Sequence, residues 1–149
     1  MAARKSYLVA VDFSKTAEFA LDHALKLSRE NKAALILLHI IDNRSVVFGV
    51  PGRVTPGFYI HAKTAAAEEA KAKLRGLLKK KKLGPKVCRA LLVRHADPAL
   101  AISKQANKLK VSMIIMGSRG RTGIKHLVLG SVAERILHYA HCPVLIVKK

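Results

Sequence analysis

The sequence predicts an α/β fold: one doubly wound, Rossmann-like domain with a five-stranded parallel sheet and helices on both faces. Three observations carry that expectation. Strand and helix signals alternate along the whole chain. The run Ala34 to Ile41 is nearly all apolar, as a strand covered on both faces must be. The chain has 149 residues, 50% of them hydrophobic, enough for one domain with a sizeable core. No composition shift or internal repeat marks a second domain.

The elements follow in order. Tyr7 to Val11 is a short apolar strand. Ser14 is a good N-cap, and Ala17, Ala20, Leu21, Ala24 and Leu25 then share one helical face at i, i+3, i+4, i+7, i+8 spacing. Ala34 to Ile41 is the second strand. Asn43 to about Ile60 reads as a long connection, broken by Gly49, Pro51, Gly52, Pro56 and Gly57. Connections of that length are usually functional or mobile. Its apolar residues Val46, Val47, Phe48, Val50, Phe58 and Tyr59 fit three roles: covering a ligand, meeting a partner subunit, or packing down.

His61 to Lys82 is expected to be a long helix with Ala67, Ala70, Leu74, Leu77 and Leu78 as its inner stripe, stopped by Leu83-Gly84-Pro85. The lysines Lys79 to Lys82 suit the negative end of its dipole, or form a docking site for a polyanion. Val87 to Val93 is the third strand. Asp97-Pro98 opens the next helix as N-cap and first-turn proline, with Ala99, Ile102, Ser103 and Ala106 buried. Met113 to Met116 is the fourth strand, Val132 to Ala140 the last helix, and Pro143 to Val147 the fifth strand.

Right-handed crossovers make such a chain a sandwich of helices around the sheet. The strand order is not set by this pattern. If it is 3-2-1-4-5, strands one and four are neighbours at the switch point, where ligands bind beyond the carboxyl ends. Asp12 then faces Gly117 across that crevice.

The loop after strand four carries the strongest chemical signal. It reads Gly117-x2-Gly120-x9-Gly130-Ser131, with a further glycine at Gly123. It is neither a Walker A loop nor a dinucleotide fingerprint after the first strand. Gly117 leaves room above the sheet for a sugar or phosphate, and Gly120 permits a sharp turn with its N–H directed inward. The amides of Ser131, Val132 and Ala133 at the helix start are free donors with partial positive charge behind them. Arg119, Arg121 and Lys125 add charge nearby. A side chain added at Gly130 is expected to fill the place of the anion. Alternatively, Ser131 to Glu134 is a capping box and Gly130-Ser131 a plain helix start. Taken with the two upstream glycines, the pattern favours phosphate.

These residues resemble the ATP-binding branch of the universal stress protein family. The resemblance covers nearly the whole chain: Val11-Asp12-Phe13-Ser14, Leu37-Leu38-His39-Ile40-Ile41-Asp42, Met113 to Ser118, the glycine loop, and Cys142 to Val147. It implies the order 3-2-1-4-5, a homodimer through the last strand, and ATP or AMP between the ends of strands one and four. It further implies that Ala10, Asp12 and Ile40 lie beside the adenosine, Met116 and Gly117 under the ribose, and Gly120, Gly130, Ser131 and Val132 on the phosphates with Arg119 close by. Mg²⁺ (or Mn²⁺) would accompany the nucleotide.

Asp12 has two readings: a cap for the turn into the first helix, or a contact to the nucleotide or its metal, since Mg²⁺ commonly uses one or two carboxylates plus phosphate oxygens. Asp42 is the other carboxylate near this rim. The seven histidines form no HExxH, and His138 and His141 share a helical face without a third ligand, so no dedicated transition-metal site is expected. His39 reads as a hydrogen-bonded core residue. No catalytic residue is assigned: nothing stands out to orient water at a γ-phosphate, and hydrolysis, if any, would be slow. The expected function is therefore a regulatory nucleotide-binding module whose nucleotide-dependent loops an unidentified protein partner reads.

The formal charge of +19, from 28 Lys and Arg against 9 acids, is high for that family. It would concentrate anions, and it opens a second reading as a nucleic-acid or polyanion binder. Aromatic residues are only 5%, too few for single-strand stacking platforms. No apolar run approaches the ~20 residues of a membrane span, and Met1 to Lys5 leads straight into a strand without a signal-peptide pattern. Cys88 and Cys142 form no CxxC pair and read as small hydrophobes in a reducing cytoplasm.

Overall fold

The computed structural model describes residues 5–44, 55–121 and 129–149. The elements are β1 (Ser6–Ala10), α1 (Lys15–Asn31), β2 (Ala34–Asp42), α2 (Pro56–Lys80), β3 (Cys88–His95), α3 (Pro98–Lys108), β4 (Met113–Gly117), α4 (Ser131–Tyr139) and β5 (Val144–Val147). All neighbouring strands are parallel, and their order is β3-β2-β1-β4-β5. The doubly wound sheet and its expected order are thus what the chain forms.

The period-2 alternation of β1 sorts the two layers. Tyr7, Val9 and Val11 face α1 and α2, where they join Leu21, Leu35, Leu37, Leu74 and Ile115 in one core. Leu8 faces the other way and packs with Ile36, Leu38, Ile102, Ile114 and Ile136 under α3 and α4. Leu8, Val9, Leu21, Leu37, Ile114, Ile115 and Ile136 are fully buried, which fixes strand register, since a one-residue slip would invert the faces. Among the described residues no helix is long and apolar enough to cross a membrane.

The largest departure from the sequence reading is the start of α2. The helix begins at Pro56 rather than His61. Thr55 is the N-cap, its Oγ1 accepting from Phe58 N at 3.2 Å, and Pro56 takes the first turn, where a missing N–H costs nothing. What looked like loop punctuation is a helix start, and Phe58 and Tyr59 belong to the helix. The inner stripe is also thinner than expected: Ala70 and Leu74 are buried, while Ala67, Leu77 and Leu78 are half-buried. Before Ala70 this helix buries no side chain. Val46, Val47, Phe48, Val50, Gly49, Pro51 and Gly52 lie outside the described residues, as do Gly123, Lys125 and His126.

β3 runs on to His95, two residues past the expected end, because Asp42 and His95 still pair in register. α2 ends at Lys80, with Lys81 as C-cap. The basic run beyond it is not simply solvated. Lys80 pairs with Glu18, and Lys81 reaches Asp22 at 2.6 Å and Glu18 at 3.3 Å on α1. Two of the four lysines offered as a polyanion contact are therefore spent on joining the two helices. The hydrogen bond from Lys80, against a smaller opposing effect of burial, holds Glu18 below the usual carboxylate range.

Candidate functional site

The crevice at the switch point is built by the turn after β1. Asp12 Oδ1 accepts from Ser14 N at 3.0 Å, and Phe13 between them sits at φ 65°, a left-handed conformation uncommon for a bulky residue. Ser14 caps α1 by accepting from Ala17 N at 3.1 Å. Asp12 therefore organises the turn, and its second oxygen remains directed towards the glycine loop: a Cβ on Gly120 would lie 2.9 Å from Asp12 Oδ2. The cap role and a ligand role are compatible, one oxygen each.

The glycine loop is tied down on three sides. Ser118 N donates to Val147 O on β5 at 2.9 Å, Gly130 N donates to Ser118 O at 2.7 Å, and Thr16 Oγ1 donates to Arg119 O at 2.6 Å. Two of its carbonyls are thus occupied by protein donors and cannot turn towards an anion. The glycines have reasons that the spacing alone did not show. A Cβ on Gly117 would meet Thr16 C at 2.9 Å and Thr16 O at 3.0 Å, so the room it leaves is taken by the start of α1. Gly120 is required by the approach of Asp12 rather than by a left-handed turn. A Cβ on Gly130 would meet Arg119 Cα and Ser118 O at 3.3 Å, so a side chain there presses on the loop backbone first, not on the anion's place.

The capping box does not form. Gly130 is the N-cap of α4 and no side chain caps it. Glu134 N is the first amide of the helix to find a backbone acceptor, Gly130 O at 2.9 Å. Among the described residues the amides of Ser131, Val132 and Ala133 have no acceptor, and they stand at the positive end of the helix dipole.

These parts enclose a cavity of about 330 Å³, at the lower end of the ~300–1,000 Å³ usual for small-molecule sites. It gathers all ten residues singled out from the sequence: Ala10, Asp12, Ile40, Met116, Gly117, Arg119, Gly120, Gly130, Ser131 and Val132. Sequence reasoning missed the wall supplied by α3, where Pro98 and Ile102 line the cavity. The Asp97-Pro98 pair was legible as a helix start, but nothing local says that this start overlooks β1 and β2. Its lining combines apolar side chains (Ala10, Leu38, Ile40, Ile102, Met116) with Arg119, Ser131 and the start of α4.

Two polar clips hold that wall. Asp97 caps α3 through Leu100 N at 3.2 Å and binds Arg135 of α4, while Ser103 of α3 donates to Tyr139 O at 2.6 Å. Burial pushes the Asp97 carboxyl up, but Arg135 and the Leu100 amide outweigh it and leave it below its ordinary value.

His39 is 4% exposed and lines the cavity floor. Its Nδ1 lies 2.7 Å from Val11 O, which can only accept, so Nδ1 carries the proton. Burial pushes its pKa down, against the hydrogen bond to Val11, so the ring is neutral, and it packs on Phe13 at 4.5 Å. Asp42 is engaged by Arg44, with Oδ1 2.9 Å from its amide and Oδ2 2.8 Å from Nη2, and this pairing holds it below the usual carboxylate range. Two buried donors near the start of α4, Ser118 Oγ and Arg119 Nε, have no partner among the described residues. No group of three or more metal-ligating side chains occurs among those residues. Burial pushes the Cys88 thiol up to about 11 and raises Cys142 too, so neither thiol is an activated nucleophile.

The model of the Universal stress protein family matches residues 4–148. The chain belongs to the universal stress protein family. A universal stress protein of Methanocaldococcus jannaschii is 36% identical over 156 residues, spanning 97% of this chain and 95% of its own. Its solved structure has a TM-score of 0.81 at 34% identity, over 97% of this chain and 96% of that one. The universal stress protein YxiE of Bacillus subtilis is 32% identical over 145 residues, 95% of this chain and 97% of its own. A universal stress protein of Archaeoglobus fulgidus, solved in complex with dAMP, shares the fold with a TM-score of 0.60 at 21% identity, covering 98% of each chain.

Proposed function

We propose that this protein binds an adenine nucleotide, ATP or AMP, at the β1–β4 crevice and acts as a regulatory module whose state a protein partner reads. The observation that carries the reading is the uncapped start of α4. Three amides, with Ser118 Oγ and Arg119 Nε, have no partner among the described residues, and their residues line a cavity whose other walls are largely apolar. An anion at a helix N-terminus satisfies such donors, and an apolar slot suits a flat base. A family member of the same fold, solved with dAMP, is consistent with this ligand class.

In this arrangement Ala10, Ile40 and Met116 border the base and ribose, and Gly120, Gly130, Ser131 and Val132 surround the phosphates with Arg119. A metal ion would arrive with the phosphates. Asp12 supplies one hard oxygen towards that place, which suffices for Mg²⁺ or Mn²⁺ held mainly by phosphate oxygens and water. The metal's contribution there would be to neutralise phosphate charge. Hydrolysis would be slow at most in this reading, since none of the described residues is assigned to orient water at a γ-phosphate. The module would act as a homodimer, joined through β5, the edge strand among the described residues, whose outer edge is a ready template for a second chain.

Mass spectrometry of protein purified without added ligand tests the reading. Bound ATP or AMP at near-stoichiometric amounts is expected, and titration of nucleotide-free protein should give saturable binding. Absence of both would overturn it.

A further inference from the structure

The pole opposite the crevice, where every strand begins, carries a row of lysines. In the spatial order of the strands, Lys86 precedes β3, Lys32 precedes β2, Lys5 precedes β1 and Lys110 precedes β4. Backbone hydrogen bonds show that these segments lie side by side. Leu35 N donates to Val87 O, Ala34 N to Lys5 O at 2.8 Å, and Ser112 N to Ser6 O at 2.8 Å. At the ~4.8 Å separation of adjacent strands, four such positions span about 15 Å.

All four lysines are exposed, and none takes part in an ion pair among the described residues. Arg29 in the last turn of α1 and Lys108 in the last turn of α3 flank the row. Glu30 is the one carboxylate in these segments. The bland role for such cations is to offset helix C-termini, each equivalent to roughly −0.5 charge. Two helix ends, α1 and α3, need about one positive charge between them, which leaves most of the six unspent. The α2 lysines show the contrast, because there Lys80 and Lys81 are neutralised by α1 carboxylates.

We propose that this lysine row is a docking surface for the phosphate backbone of duplex nucleic acid, separate from the nucleotide crevice. The partner follows from what the surface has and lacks. Regularly spaced cations match a regular array of phosphates. The same segments contain no exposed aromatic ring, so single-strand stacking is not supported. They present one exposed large apolar residue, Val87, too little to insert into a lipid interface. No element is presented to read a groove, so binding is sequence-independent.

Fluorescence anisotropy with a random-sequence duplex of about 20 base pairs tests this across salt concentrations. With about four phosphates neutralised, the slope of log K against log salt should be near −3.6. A triple variant, Lys5→Gln, Lys32→Gly and Lys110→Gln, should bind at least about 10-fold more weakly near 0.1 M salt, with a slope shallower by about 2.7. Lys32 has φ 51°, so glycine suits that position and the fold should persist, as circular dichroism would show. A charge-matched control, Lys63→Gln, Lys71→Gln and Lys148→Gln, should bind like the parent. Equal weakening in both triple variants would reduce the effect to net charge and overturn the proposal. So would no duplex binding by the parent, or parent binding to anionic lipid vesicles in preference to duplex. Nucleotide binding should be unchanged in the lysine-row variant, so each reading can fail without the other.

Discussion

Replacing Ser131 by aspartate puts a carboxylate at the first residue of α4, where the proposed nucleotide places its phosphates. The two effects of this change have opposite signs. Gly130 provides no side-chain cap, so a negative charge in the first turn should stabilise the helix by about 0.3–1 kcal/mol. For a chain of this size that raises Tm by roughly 1–4 °C. A phosphate at the free amides would lie within about 5 Å of the new carboxylate, and at an effective dielectric of ~20 their repulsion is about 3 kcal/mol. The affinity for ATP should fall by roughly 100-fold. Calorimetric titration in EDTA, with ATP and with adenosine, reads both halves: ATP weakens, adenosine does not. Because the fold is stabilised, lost binding cannot be assigned to unfolding. If the Ser131→Asp protein binds ATP as tightly as the parent, the helix start does not hold the phosphates and the proposed site is wrong.

Other perturbations follow from packing and charge. Gly117→Ala drives a Cβ into the Thr16 backbone, which has no side chain to move aside, and should cost about 1–3 kcal/mol in urea unfolding. Gly120→Ala meets only the tip of Asp12 and should cost less; equal losses would show that the contact at Thr16 is not the reason for the glycine. His39 is held neutral in the folded state, so protonation favours the unfolded chain. Stability should be fully present above about pH 6.5 and decline as the pH falls through the folded pKa, which lies lower. Glu18, Asp42 and Asp97 are all held below the usual carboxylate range and titrate further down. In denaturant melts at pH 7.5 and 5.5, His39→Gln should flatten the difference, and an undiminished difference in that variant would refute the assignment. Lys81→Met should lose about 1 kcal/mol through its two carboxylate partners, while Lys79→Met, which has no such partner among the described residues, should be neutral in the same melts.

Much of the fold was legible because burial repeats with the period of each element. The nearly all-apolar run at Ala34 to Ile41 pointed to a doubly covered strand, and Ala99, Ile102, Ser103 and Ala106 are buried on α3 as their spacing implied. Thr55-Pro56 misled because proline is a turn former and a helix opener alike, and which role applies depends on the cap before it. The cavity residues on β1, β4 and the glycine loop were legible because their types are chemically unusual. Pro98 and Ile102 were not, since an ordinary helix start and an ordinary core residue become cavity wall only through long-range packing. The roles of the glycines were also hidden. Gly117 is small for the sake of α1 and Gly120 for the sake of Asp12, contacts made across about a hundred residues of sequence. Ser131 to Glu134 fits a capping box by letter, but the helix begins one residue earlier than that motif needs, with Gly130 rather than Ser131 as N-cap.

The Asp97–Arg135 and Ser103–Tyr139 clips fasten α3 to α4, one at the start of α3 and the other at the end of α4. The placing of Pro98 and Ile102 relative to the start of α4 is thereby set by side chains that do not line the cavity. The proposed nucleotide would then enter a preformed site, with little of its binding energy consumed in rearranging the walls. If the proposed site holds, substitution at Asp97 or Arg135 would change how well a base fits between α3 and the sheet without altering an atom that meets it.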